Sequence, residues 1–263
     1  MKKINIWFFS RMVLFVVLGA ISSGAYSNTY ESAQSGDTEA QFRLGRLYLQ
    51  GDELPQNYQQ AIRWFKEAAK KNHAGAQYEL GLAYMQGQSV DKDLSKAAEW
   101  FYLAANQGHR GAQYQLGEMT LNGKGVSQDT SEAMEWLNLA AGQGQSKAQF
   151  LLGDLFQNGR GVTPNPKLAV KWYSLAAKQG HDEAQYRLAE LYAKGEGTKQ
   201  DFQQALAWYK NAADQGVVDA QFRLGEMYSQ GEGTTINKAQ AKKWLKEAAK
   251  QGHKLAKTRL SRL

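Results

Sequence analysis

Residues 145–180 read QSKAQFLLGDLFQNGRGVTPNPKLAVKWYSLAAKQG, and the same reading returns when the window is shifted by 36 residues in either direction. Tryptophan stands at Trp64, Trp100, Trp136, Trp172, Trp208 and Trp244, and Ala-Gln recurs from Ala40-Gln41 through Ala220-Gln221. A fixed period of this length is one supersecondary unit copied in a row, each copy burying its apolar face against the next. The period predicts an all-α fold, an α/α superhelical solenoid of about six 36-residue helix-turn-helix repeats followed by a C-terminal capping helix. The copies fall at 37–72, 73–108, 109–144, 145–180, 181–216 and 217–252.

Within the copy 37–72, Ala40, Leu44, Leu47 and Tyr48 share one helical face. This first helix, A, is stopped by Gly51, whose counterparts Gly87, Gly123, Gly159, Gly195 and Gly231 never vary, as a left-handed terminus requires. Asn57 and its counterparts Asp93, Asp129, Asn165, Asp201 and Asn237 are N-caps of a second helix, B. Gln60, Glu132, Gln204 and Gln240, three residues on, predict capping boxes, and Pro166 suits a first helical position. Helix B is expected to bury Ala61, Trp64, Phe65 and Ala68 and to end at Asn72 or its counterparts Gly108, Gly144, Gly180, Gly216 and Gly252. Residues 26–36 align with the end of helix B and predict an N-terminal cap remnant, while 253–263 align with helix A and predict the capping helix.

Ahead of the array, Lys2 and Lys3, an apolar stretch from Met12 to Ile21, and Ser22-Ser23-Gly24-Ala25 read as a signal peptide over 1–25. The apolar run is short of a bilayer span, so no stable membrane insertion is expected after cleavage, and the mature protein is expected to be periplasmic or secreted. Loss of Lys2, Lys3 and Arg11 takes the formal charge from +7 to +4, with both signs interspersed, which is no nucleic-acid footprint. With no cysteine, disulfides, thiol nucleophiles and thiolate metal sites are excluded.

The pattern Ala-Gln-x-x-Leu-Gly-x-x-Tyr, then Gly-x-Gly-Val, then Ala-x-x-Trp-Tyr-x-x-Ala-Ala-x-Gln-Gly resembles the Sel-1-like repeat, a relative of the tetratricopeptide repeat. Ala148-Gln149, Leu152-Gly153, Gly159-Arg160-Gly161-Val162, Trp172-Tyr173 and Ala176-Ala177 carry it, whereas Leu188-Ala189 and Gly51-Asp52-Glu53 depart from it. The resemblance implies a right-handed superhelix with helix A on the concave side, and an adaptor or scaffold that holds other proteins. Some bacterial members act in envelope signalling, in host contact or as periplasmic immunity proteins against lipase toxins.

No catalytic constellation accompanies the array, so the chain is read as a non-enzyme without cofactor or metal. His73, His109, His181 and His253 recur at one repeat position, too far apart along a stack to converge on one metal. The loops Gly123-Lys124-Gly125, Gly159-Arg160-Gly161, Gly195-Glu196-Gly197 and Gly231-Glu232-Gly233 follow helices and lack the endings of phosphate-binding loops. Ser89-Val90-Asp91-Lys92 has Ser-x-x-Lys spacing without the companion motifs of penicillin-interacting enzymes. The alternative class, an envelope hydrolase acting on β-lactams or peptidoglycan, rests on family relatives that carry paired cysteines.

Once the recurring positions are assigned to packing, helix A retains a variable stripe at residues 39, 43, 46 and 50 and their equivalents. One row runs Arg43, Glu79, Gln115, Leu151, Arg187, Arg223, and the adjoining row runs Arg46, Leu82, Glu118, Asp154, Glu190, Glu226. This strip is the predicted binding surface for another protein, with Leu82 and Leu151 as apolar anchors. The recurring aromatic at Phe42, Tyr78, Tyr114, Phe150, Tyr186 and Phe222 either borders that surface or packs, and its strict repetition favours packing.

Overall fold

The computed structural model describes residues 24–263, so the leader read at 1–25 lies outside the described residues except for Gly24 and Ala25. Among the described residues every regular element is a helix, as an all-α repeat requires. After α1 (Gly24–Gln34), A-type helices are α2 (Thr38–Gln50), α4 (Ala74–Gln86), α6 (Arg110–Asn122), α8 (Ser146–Asn158), α10 (Asp182–Lys194) and α12 (Val218–Gln230). B-type helices are α3 (Tyr58–Lys70), α5 (Leu94–Asn106), α7 (Thr130–Gly142), α9 (Pro166–Lys178), α11 (Phe202–Asp214) and α13 (Lys238–Lys250), and α14 (Lys254–Leu260) closes the series. None of these helices is long and apolar enough to cross a membrane.

The chain forms two compact units, one of the residues up to Ala112 with Lys124–Val126, the other of Gln113–Gly123 with Ser127–Leu263. In the first, Ala33, Ala40, Leu44, Leu54 and Trp64 form one cluster, and Tyr30 of α1 meets Trp64 edge to face at 6.3 Å. A second cluster joins Ala61, Phe65 and Ala68 of α3 to Ala76, Leu80 and Ala83 of α4, with Trp100 of α5 against it. In the second unit the same pattern joins α9 to α10 through Ala169, Tyr173, Leu188 and Leu191, with Trp208 of α11 alongside.

Local chemistry sets the helix ends where the sequence places them. A-helix stops are left-handed, with φ 79° at Gly51, and the Asn57 side chain accepts from the Gln60 amide at 3.1 Å to start α3. Capping boxes, by contrast, are not completed. The Asn57 backbone amide donates to the Tyr48 carbonyl at 2.8 Å, and Asp129, Asp201 and Asn237 donate likewise to Thr120, Tyr192 and Tyr228. That carbonyl, near the end of helix A, needs a donor, and taking the N-cap amide ties the two helices of a copy together. The Glu132 carboxylate instead accepts from Trp136 Nε1 at 3.3 Å.

Burial differs from expectation at the tryptophan. Trp64 and Trp244 are buried, but Trp100, Trp136, Trp172 and Trp208 are half-buried. The centre of each copy is the next residue, Phe65, Phe101, Leu137, Tyr173, Tyr209 or Leu245, each at most 3% exposed. These side chains lie against the A-helix position that is glycine in all copies but one: a Cβ on Gly153 would stand 2.6 Å from the Tyr173 ring. Trp100, Trp172 and Trp208 pack against clusters that include the helix B of the preceding copy and stay partly in water.

The Ala-Gln signature is a hydrogen-bonded joint. Gln149, 4% exposed, donates from Nε2 to the Ala141 carbonyl at the end of α7 at 3.0 Å. Its Oε1 accepts from Gln179 Nε2, at the end of α9, at 2.6 Å. Gln77–Gln107 repeats the contact in the first unit at 2.6 Å, and Gln113–Gln143, Gln185–Gln215 and Gln221–Gln251 repeat it in the second. Gln41 Oε1 is buried without a donor because position 71 is lysine, whose Nζ reaches the Gly36 carbonyl.

Candidate protein-binding surface

The repeat positions that tempt a chemical reading are occupied by structure. The His73, His109, His181 and His253 rings cap their A-type helices, Nδ1 accepting a backbone amide at 3.1–3.3 Å. This acceptor role places the proton on Nε2. Each ring stacks on the recurring aromatic of the preceding copy, with centroids 4.3–4.7 Å apart for Phe42, Tyr78, Phe150 and Phe222. Packing thus accounts for the aromatic row. His73 Nε2 lies 3.1 Å from Glu39, and His253 Nε2 lies 3.5 Å from Asp219. Burial pushes His109 and His181 below the ordinary imidazole value, assisted at His109 by Arg110 and His73 and at His181 by Lys147, with Asp182 opposing. The loop glycines are equally committed: a Cβ on Gly197, at φ 71°, would stand 2.3 Å from the Pro166 backbone of α9.

None of the twelve residues of the predicted strip is buried. In the first unit Arg43 and Arg46 are exposed and line a cleft of about 500 Å³ with Glu39, Gln50 and Glu53. Glu79 and Leu82 are half-buried and line a small cavity of about 130 Å³ with Ile62, Phe65 and Tyr58. Burial raises the Glu79 carboxyl above the usual range, with Arg46 opposing.

In the second unit Gln115, Glu118, Leu151 and Asp154 are half-buried, Leu151 leaning on the cluster that holds Leu137 and Leu152. Leu82 and Leu151 are therefore recessed rather than projecting. Arg187 lies 3.2 Å from Glu183 and 3.3 Å from Glu190, and Arg223 lies 3.2 Å from Glu226. Glu190 and Glu226 keep only 12% and 13% of their side chains exposed, while Arg187 and Arg223 keep 38% and 50%. The carboxylates form a floor and the guanidiniums stand on it. Arg187 and Arg223 accordingly neutralise recessed acids as well as face solvent, a duty that row position alone does not reveal.

Sequence reasoning missed Arg259 and Arg262. They continue the two rows by one period, Arg259 on α14 and Arg262 in the turn just after it, and Arg259 Nε donates to Glu226 Oε1 at 3.2 Å. Extending the count of 36 past residue 252 finds them.

The Sel1 repeat matches six times, over residues 38–73, 74–109, 111–145, 146–181, 182–217 and 218–253. Among solved structures the chain is similar to a protective antigen of uropathogenic Escherichia coli strains displaying an SLR fold, at 36% identity and TM-score 0.86 over 89% of this chain. It spans 50% of that protein's length. A Sel1 repeat protein from Oxalobacter formigenes is 30% identical, with TM-score 0.72, over 86% of this chain and 97% of that one. An immunity protein of Pseudomonas aeruginosa aligns at 21% identity and TM-score 0.47 over 81% of each chain, a likeness that carries no functional argument. No curated protein matches the chain.

Proposed function

Because the chain belongs to the Sel1 repeat family, a scaffold fold for protein interaction, we propose that it binds a protein partner along the A-helix rows. One observation carries the reading. The repeating residues are consumed by caps, joints and clusters, whereas the residues at 43, 46 and their equivalents change type from copy to copy and remain in contact with solvent. Fold does not require that variation, and selective contact with a partner would use it.

The finer proposal is an adaptor or immunity protein acting outside the cytoplasm, with a lipase-type toxin as the neutralised partner. The leader-like residues Lys2, Lys3 and Met12–Ile21 support the export half of this reading. The test is capture from an envelope extract with residues 26–263, identification of the bound protein, and titration of that protein against Leu151→Ala/Arg187→Gln/Arg223→Gln. A loss of at least about tenfold in affinity is expected. Unchanged affinity in a variant of unchanged helicity removes the assignment, and a toxin gene beside this one is the outcome the immunity proposal requires.

A further inference from the structure

At the end of the second unit, α10, α12 and α14 border a cleft of about 590 Å³. Its polar centre is a single carboxylate. Glu226 Oε2 accepts from Arg223 Nη1 at 3.2 Å and Oε1 accepts from Arg259 Nε at 3.2 Å. The acid is recessed, with 13% of its side chain exposed, while the arginines keep 50% and 49%. Each guanidinium therefore spends an N–H on Glu226 and is held in place by it, and both residues line the cleft with further N–H donors not used in that bond. Two half-exposed guanidiniums fixed side by side form a preorganised receptor for an oxyanion.

The remaining lining narrows the ligand. Arg223, Arg259 and Arg262 stand against Asp219 and Glu226, so the arginines and carboxylates of the cleft sum to one net positive charge. One carboxylate balances that charge, whereas a doubly charged phosphate exceeds it. Phe222 and Leu255 add apolar surface, and Leu255 is 61% exposed although it is a large aliphatic side chain. We infer that this cleft binds a segment of a protein partner that presents an aspartate or glutamate side chain to Arg223 and Arg259 beside an aliphatic residue that covers Leu255. The inference rests on the protein-binding reading of the A-helix rows and deepens it: Arg259 lies outside the strip foreseen from sequence, and its role is to complete a carboxylate site with Arg223.

The test uses two capped pentapeptides, acetyl-Ala-Leu-Glu-Leu-Ala-amide and its Gln counterpart, with inorganic phosphate as a third probe, titrated into residues 26–263 labelled with ¹⁵N. The Glu peptide is expected to shift the Nε–H signals of Arg223 and Arg259 and the Leu255 amide, binding about tenfold more tightly than the Gln peptide, as a charge-assisted contact implies. Arg259→Gln should remove that preference, and the wild-type comparison of the two peptides decides the matter if this variant loosens α14. Equal binding of both peptides, no shift at these signals, or tighter binding of phosphate overturns the inference. If the peptides fail while the captured partner still responds to the replacements at Leu151, Arg187 and Arg223, the carboxylate site falls and the protein-binding reading stands. If those replacements leave capture unchanged, the broader reading falls.

Discussion

Replacing Gln149 by alanine tests how the copies are joined. The side chain is 4% exposed, donates to the Ala141 carbonyl at 3.0 Å and accepts from Gln179 at 2.6 Å. The Ala141 carbonyl also accepts from the Gly144 amide at 3.0 Å, so it keeps one partner after the replacement. The loss is two hydrogen bonds of about 0.5–1.5 kcal/mol each and the burial of one methylene, Cγ, worth about 0.8 kcal/mol, or roughly 2–4 kcal/mol in all. Gln179→Ala leaves the Gln149 Oε1 buried without its donor and should cost about 1–3 kcal/mol. The double variant should fall short of the sum by about 1 kcal/mol, since both singles break the same contact. Lys71→Gln runs the experiment in reverse, offering a donor to Gln41 Oε1, and should stabilise the first copy. Urea unfolding followed by far-ultraviolet circular dichroism gives the energies, and native-state hydrogen exchange on α7, α8 and α9 shows where they act, because repeat arrays open in parts. A Gln149→Ala change below about 0.5 kcal/mol, or strict additivity with Gln179→Ala, refutes the joint.

Other consequences are equally direct. Phe101→Ala should cost about 3–5 kcal/mol while Trp100→Ala costs clearly less, since Phe101 is fully buried and Trp100 only half; urea midpoints compare them. Gly153→Ala forces a methyl to within 2.6 Å of the Tyr173 ring and should destabilise by about 1–3 kcal/mol despite its better helix propensity, read as a lowered melting temperature. Ser89 holds φ 57° in the loop after α4, so Ser89→Gly should raise stability by up to about 1 kcal/mol, measured the same way. His109 and His181 are held below their unfolded value, so the stability they contribute is fully present above about pH 6.5 and is lost as pH falls through their lowered folded values. Protonation at Nδ1 also removes the helix cap, and His181→Asn, a cap that does not titrate, should flatten part of the melting-temperature profile between neutral and acid pH.

Legibility followed locality. The stop at Gly51, the N-cap at Asn57 and the helix faces of Ala40 and Leu44 depend on neighbours within a turn or two, and the sequence shows those neighbours. The capping boxes failed because the Asn57 amide answers a carbonyl nine residues back, at Tyr48, which spacing within helix B cannot register. Tryptophan drew attention by size and regularity, yet its burial depends on the surface of the preceding copy, and Phe65 and its counterparts hold the centre. The roles of Gln149 and of the capping histidines lie in contacts 30 or more residues away or in a ring nitrogen acting as acceptor, neither of which periodicity encodes. For the candidate surface, the rows were readable as positions, but the pairing of Arg223 and Arg259 on one recessed Glu226 needed three-dimensional placement.

Side-chain footprinting of the complex with the captured partner tests the central claim most directly. Labelling of the protein alone and bound should show protection concentrated on the A-helix rows, at Arg43 and Arg46 of the first unit or at Arg187, Arg223 and Arg259 of the second. Protection confined to the exposed B-helix leucines Leu103, Leu139 and Leu175, with the A-helix rows labelled as in the free protein, would contradict it.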